Sequence, residues 1–294
     1  MTSRARPEVS AILRRRGTAW SRRFGNLAFL GACAAATLLV VLPLLLIVGH
    51  LVARGLPALR PEFFVHLPKP VGEPGGGMAN AIFGTLLVVG LGALFAVPAG
   101  VAAGLWLAEY GRGRIATIVR TTADVLSGVP SIVVGVAAYG LIVVPMGRFS
   151  ALAGGVALAL LMLPTIVRST EEVVRLVPRS YREAALALGA PRWRVVQQVV
   201  LPAAGAGVTT AILLAIARAS GETAPLLFTA LGNRFWSASL DRPIATLPVM
   251  IYDYARAPYD DWNRQAWTGA LVLIVLVALV SGTLRLVTAR MRRG

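Results

Sequence analysis

The sequence predicts an all-α membrane protein with six transmembrane helices. Three observations carry this. Of the 294 residues, 56% are hydrophobic and only 14% are charged, with a mean hydropathy of +0.72; a soluble domain is about 25% charged. Apolar runs of about 20 residues, the length that crosses a bilayer, recur along the chain. The 29 basic residues are not gathered in one patch but alternate with those runs, as the positive-inside rule requires. The net charge of +16 therefore speaks for membrane orientation rather than nucleic-acid binding.

The first span is predicted over 27–53, rich in Leu and Val, with Pro43 inside. It follows a basic tail, 1–26, that carries seven arginines: Arg4, Arg6, Arg14, Arg15, Arg16, Arg22 and Arg23. The apolar core of a signal peptide is roughly 7–15 residues long. This run is much longer, so an uncleaved span with a cytoplasmic N-terminus is expected. After a Pro/Gly-rich loop, LPKPVGEPGGG, a core over 79–287 holds the other five spans. The second runs over about 79–108 and carries Pro98 and a Gly100-x-x-x-Gly104 spacing, which lets helices approach closely. The third, about 118–144, contains Asp124 and Gly128-Val129-Pro130-Ser131. The fourth covers about 151–167. A polar stretch, 168–200, interrupts the pattern before the fifth span starts at Leu201-Pro202 and ends near Leu231. A loop with Trp236 and Trp262 leads to the sixth span, 267–287, and a basic tail, 288–294. Prolines inside spans (Pro43, Pro98, Pro130, Pro164, Pro225) are tolerated where neighbouring helices satisfy the freed carbonyls, and they argue for a bundle with an interior.

Charge sets the orientation. With both termini cytoplasmic, 20 of the 29 basic residues are assigned to cytoplasmic segments and eight to outer loops; Arg218 is the remaining one. The chain has one lysine, Lys69, in LPKPV. A Walker A loop needs Gly-Lys-Ser/Thr, so no ATP-binding P-loop is possible. Cys33 is the only cysteine, and His50 and His66 lack a second ligand nearby in sequence. No catalytic residue, metal site or cofactor is expected on this chain.

The cytoplasmic stretch SYREAALALGAPRWRVVQQVVLP reads as a helical hairpin. Ser180 and Glu183 have capping-box spacing, which predicts a helix from Tyr181. Gly189 suits the left-handed position that ends it, and Pro191 the first turn of a second helix. Val195, Val196, Val199 and Val200 form an apolar stripe on that second helix. Ala184, Ala185 and Ala187 make the first helix slim enough to enter a groove on a partner. The stretch Glu183-Ala184-Ala185, then Gly189, then Val199-Val200-Leu201-Pro202 resembles the EAA loop of type I ABC importer permeases, which usually have Ile where Val199 stands. That resemblance implies that Glu183, Ala184, Ala185, Gly189, Leu201 and Pro202 couple the chain to a separate ATPase.

The segment ARASGETAPLL places Arg218 and Glu222 four residues apart in an otherwise apolar span. Arg218 lies on the order of 25 Å beyond the span's cytoplasmic start at 1.5 Å per residue, past the bilayer middle. A charge there costs at least ~2.5 kcal/mol, and such a residue faces an interior or a water-filled path. Two readings stand: a structural salt bridge, or a face lining a transport path. Guanidinium is a donor fork suited to an oxyanion. A carboxylate beside it would favour an anion that still carries a proton, as phosphate does and sulfate does not.

The stretch Arg218-Ala219-Ser220-Gly221-Glu222-Thr223-Ala224-Pro225-Leu226 resembles the RAxGETAPL signature of phosphate ABC importer permeases. Gly128-Val129-Pro130-Ser131, Leu163-Pro164-Thr165 followed by Glu171-Glu172, and LPVMIY near residue 250 fit the same family. The Ala-Pro-Leu continuation resembles its PstA type rather than the sister PstC type. The resemblance implies the six-helix MetI-like permease fold in a bacterial cytoplasmic membrane, and a translocation path that includes Arg218, Glu222, Thr223, Pro130 and Ser131. It implies a PstC-like second permease, two PstB-like ATPase subunits that bind ATP and Mg, a PstS-like extracytoplasmic phosphate-binding protein, the lipid bilayer, and inorganic phosphate as cargo. Rival readings are a permease for another oxyanion or a phosphonate, the sister permease itself, a membrane-embedded enzyme using Glu222 or Asp124, and a regulatory membrane subunit.

Overall fold

The computed structural model describes residues 19–73 and 75–291; the greater part of the predicted N-terminal tail and residues 292–294 lie outside them. Every regular element among the described residues is helical. The chain divides after Ala53 into two compact units. The first holds the body of α1 (Ala19–Gly55), which keeps its helix through Pro43. Its large apolar side chains from Phe24 to Ile47 are exposed, which suits contact with lipid.

The second unit contains α2 (Glu62–Val65), α3 (Ala79–Glu109), α4 (Gly113–Gly128), α5 (Ser131–Ala138), α6 (Val144–Met146), α7 (Ala151–Arg175), α8 (Arg179–Ala187), α9 (Arg192–Val195), α10 (Leu201–Ser220), α11 (Ala224–Thr229), α12 (Leu247–Ala255) and α13 (Asp260–Met291). π-helical turns at Tyr139–Val143 and Val196–Val200 join α5 to α6 and α9 to α10. Among the described residues, five helical stretches are long and apolar enough to cross a membrane, and six when the bent pair α4 and α5–α6 counts as one span.

The core is the α3–α7 pair. A Cβ on Gly100 would lie 2.8 Å from Ile166 Cγ2, and one on Gly104 would lie 2.7 Å from the Val167 carbonyl oxygen. The predicted small-residue spacing therefore marks a real close approach. Around it Val88, Ala96, Leu158, Met162, Ile166, Ala215 and Leu226 form one buried cluster. Where water is absent, this contact area and its dispersion energy hold helices together.

The third predicted span is not one straight helix. It breaks at Val129-Pro130, and its halves meet at 107°. The residue before a proline is pushed towards extended backbone, and Val129 has φ −71° and ψ 131°. The fifth span is likewise interrupted, because α10 ends at Ser220 and α11 resumes at Ala224. The fourth runs two turns past its predicted end, to Arg175, because charged residues can continue a helix beyond the apolar layer.

At the opposite end of α7, Ser150 caps the helix by accepting a hydrogen bond from the Ala153 N–H. The free N–H groups of Ser150, Ala151 and Leu152 donate to carbonyls of Thr229, Arg242 and Leu240. The end of α11 and the loop after it thereby satisfy the orphan donors of a buried helix start.

Candidate functional site

The loop between α7 and α10 folds as a hairpin of two short helices. The predicted capping box does not form. α8 begins at Arg179 with Pro178 at its N-cap and no side-chain cap. Pro178, at φ −58° and ψ 140°, starts the helix two residues early and leaves Ser180 inside its first turn. The C-terminal end follows the sequence. Gly189 has φ +80°, its N–H donates to the Leu186 carbonyl, and the Ala190 N–H donates to the Ala185 carbonyl. These are the two bonds of a Schellman stop. Glu183, Ala184 and Gly189 are exposed, Ala185 is half-buried, and no residue of α8 is buried. Val195 and Val200 are buried against Val174, Val177 and Ala204. Leu201 and Pro202 open α10, so the hairpin feeds directly into the long helix.

The second site lies at the two helix breaks. α5 and α11 pack on each other: a Cβ on Gly135 would lie 2.7 Å from Pro225 Cα. Pro130 and Ser131 stand at the start of α5, and Glu222 and Thr223 just before α11. The structure therefore joins two elements that are some 90 residues apart in the chain. Arg218 sits in the last turn of α10 with its side chain 59% exposed, whereas Glu222 is 18% exposed. They do not share one helix, because α10 stops between them. Their closest nitrogen and oxygen are 3.9 Å apart, too far for a hydrogen bond. The Arg218 side chain is thus open and its guanidinium is not hydrogen-bonded to Glu222.

Sequence reasoning missed an ion cluster near the end of α7. The Glu171 side chain is 1% exposed, and pairs with Arg120 at 2.6 Å, Arg168 at 2.9 Å and Arg175 at 2.5 Å. Arg168 also pairs with Asp124 at 2.8 Å, and Arg120 donates to the Leu107 carbonyl. A buried carboxylate needs such partners. The i,i+3 and i,i+4 spacing of Arg168 and Arg175 about Glu171 was a usable signal; nothing in the sequence joined Arg120 to it. Asp124, a catalyst in one rival reading, is occupied in this ion pair.

Residues 100–293 match the family described as "Binding-protein-dependent transport system inner membrane component". The chain is 42% identical over 278 residues to the phosphate transport system permease protein PstA of Yersinia pestis, covering 94% of each chain. It is 48% identical over 233 residues to the PstA of Xylella fastidiosa, covering 79% of this chain and 81% of that one. The chain belongs to the PstA permease family. A third relative, the PstA of Haemophilus influenzae, is 44% identical over 257 residues, covering 87% of this chain and 91% of that one. Among solved structures, an inward-facing form of the MetNI methionine ABC transporter superposes with a TM-score of 0.57 at 22% identity, over 74% of this chain and 94% of that one. That likeness bears on the fold alone, which is the expected MetI-like permease fold. A PstA-family permease is an inner-membrane transport component, and the match to PstA relatives sets aside the sister-permease reading.

Proposed function

We propose that this chain is one half of the membrane pore of an ATP-driven importer of inorganic phosphate. Its relatives are named for phosphate transport. The observation that carries the site is the open Arg218 side chain at a helix break, held loosely by Glu222. In this reading Arg218 holds a phosphate oxygen, and Glu222 accepts a hydrogen bond from the hydroxyl that phosphate retains at neutral pH. The breaks at Pro130-Ser131 and Glu222-Thr223 interrupt the regular helix of both spans, which suits a path for an ion.

The second half of the pore is a PstC-like permease. The exposed α8, with Glu183, Ala184 and Ala185, seats in the cleft of a PstB-like ATPase, one copy per permease. Gly189 sets the elbow, and Leu201 and Pro202 pass the motion into α10. ATP and Mg bind those ATPases, whose closure turns the permease pair. A PstS-like protein delivers phosphate from outside, and both termini of this chain are cytoplasmic. The test is uptake of radiolabelled phosphate in cells lacking this subunit, with and without the chain restored. Uptake should return with the chain and be competed by unlabelled phosphate, not by sulfate or methylphosphonate. Competition by either of those instead would make the cargo another oxyanion or a phosphonate.

A further inference from the structure

We propose that Arg182 and Glu109 form the joint that transmits movement of α8 to the membrane helices. The inference rests on reading α8 as the ATPase-docking helix. With no buried residue, α8 has little apolar anchorage; Ala185 and Ala190 only partly enter the Val174–Val200 cluster. Its polar anchorage is concentrated in one side chain. The Arg182 Nε donates to Glu109 Oε1 at 2.9 Å and the Nη2 to the same oxygen at 2.6 Å. The Nη1 donates to the Val177 carbonyl at 2.6 Å, and Nη2 also to the Val174 carbonyl at 3.0 Å.

One guanidinium thus ties three elements. Glu109 is the last residue of α3, and Val174 lies in the last turn of α7. Those are the two helices locked by Gly100 and Gly104. Both helix ends carry partial negative charge, which a cation complements. A carboxylate at the end of α3 is unfavourable there unless a cation meets it. Both side chains are largely withdrawn from water, at 20% and 14% exposure, so screening weakens the pair little. A push on α8 therefore reaches α3 and α7 together, as one body. Arg182 and Glu109 are positioning residues; neither needs to touch phosphate.

Only Arg can serve the three acceptors at once, since Lys offers a point charge without the planar fork. The experiment uses the whole complex in proteoliposomes with its binding protein. It reads ATPase co-purification, ATP hydrolysis and phosphate moved per ATP. Glu109→Gln and Arg182→Gln are expected to keep the ATPase bound while phosphate per ATP falls at least fivefold. Arg182→Lys should fall between these and the unaltered chain. Bridging Glu109→Cys with Arg182→Cys by a short bis-maleimide, with Cys33 replaced by Ser, should restore most of the ratio. An unchanged phosphate-to-ATP ratio in Glu109→Gln, or loss of the ATPase from that variant, would overturn the joint. Failure of the docking reading itself would show separately, as normal ATPase binding when Glu183→Ala and Gly189→Leu alter the loop.

Discussion

Gly135 on α5 meets Pro225 on α11 with no room for a side chain: an added Cβ would stand 2.7 Å from Pro225 Cα and 3.4 Å from the Phe228 ring. The contact binds the two broken spans at the point where both proposed path segments begin. Gly135→Val is therefore expected to force them apart at a cost of about 1–3 kcal/mol. Phosphate uptake should fall at least tenfold at equal membrane abundance. Uptake within twofold of the unaltered chain would show that the α5–α11 contact tolerates opening.

Arg218 and Glu222 separate two roles by double substitution. Removing Arg218 strands the largely withdrawn Glu222 carboxylate, so Arg218→Leu alone should lose transport whichever role the pair has. Arg218→Leu with Glu222→Leu strands neither. If the two were only a bridge, transport would largely return. The long 3.9 Å separation and the open Arg218 side chain favour the path. The double variant is expected to assemble with its ATPase and carry phosphate at under a tenth of the usual rate.

Glu171 is expected to matter for stability rather than for rate. Glu171→Leu removes the carboxylate at the centre of Arg120, Arg168 and Arg175. Breaking a buried ion cluster costs about 3–5 kcal/mol. The variant should unfold at lower temperature in detergent and reach the membrane in reduced amount. Arg175→Gln should be milder, because that side chain is 53% exposed and Glu171 retains two cations. An unaltered melting temperature in Glu171→Leu would exclude the cluster as a structural centre.

The coupling loop can be tested by its shape. Gly189 adopts φ +80°, where a side chain is strained. Glu183→Ala with Gly189→Leu should leave the protein inserted, cut co-purification of the ATPase severalfold and abolish uptake. Normal co-purification and uptake would place ATPase docking elsewhere.

Orientation follows from the charge distribution. A reporter fused after Arg182 should read as cytoplasmic and one after Asp253 as external. The same side for both positions would break the assignment of spans.

The sequence by itself determined the elements whose cause is local. Apolar length marked the long helices, and the Gly100-x-x-x-Gly104 spacing marked a close approach. Gly189 marked the end of α8 because its left-handed backbone suits glycine. The PstA family was readable from Arg218 to Leu226, a contiguous signature. Tertiary structure decided what depends on distance in space. It showed that Pro130 turns one predicted span into two helices at 107°. It moved the start of α8 from Tyr181 to Arg179, because Pro178 competed successfully with the Ser180 cap. It also brought Arg120 to Glu171 and Arg182 to Glu109, pairs 51 and 73 residues apart. Helical periodicity reaches only three or four residues. A buried charge, by contrast, takes its partner from whichever helix packs beside it, and only the packing of α3 and α7 with their neighbours selects that helix.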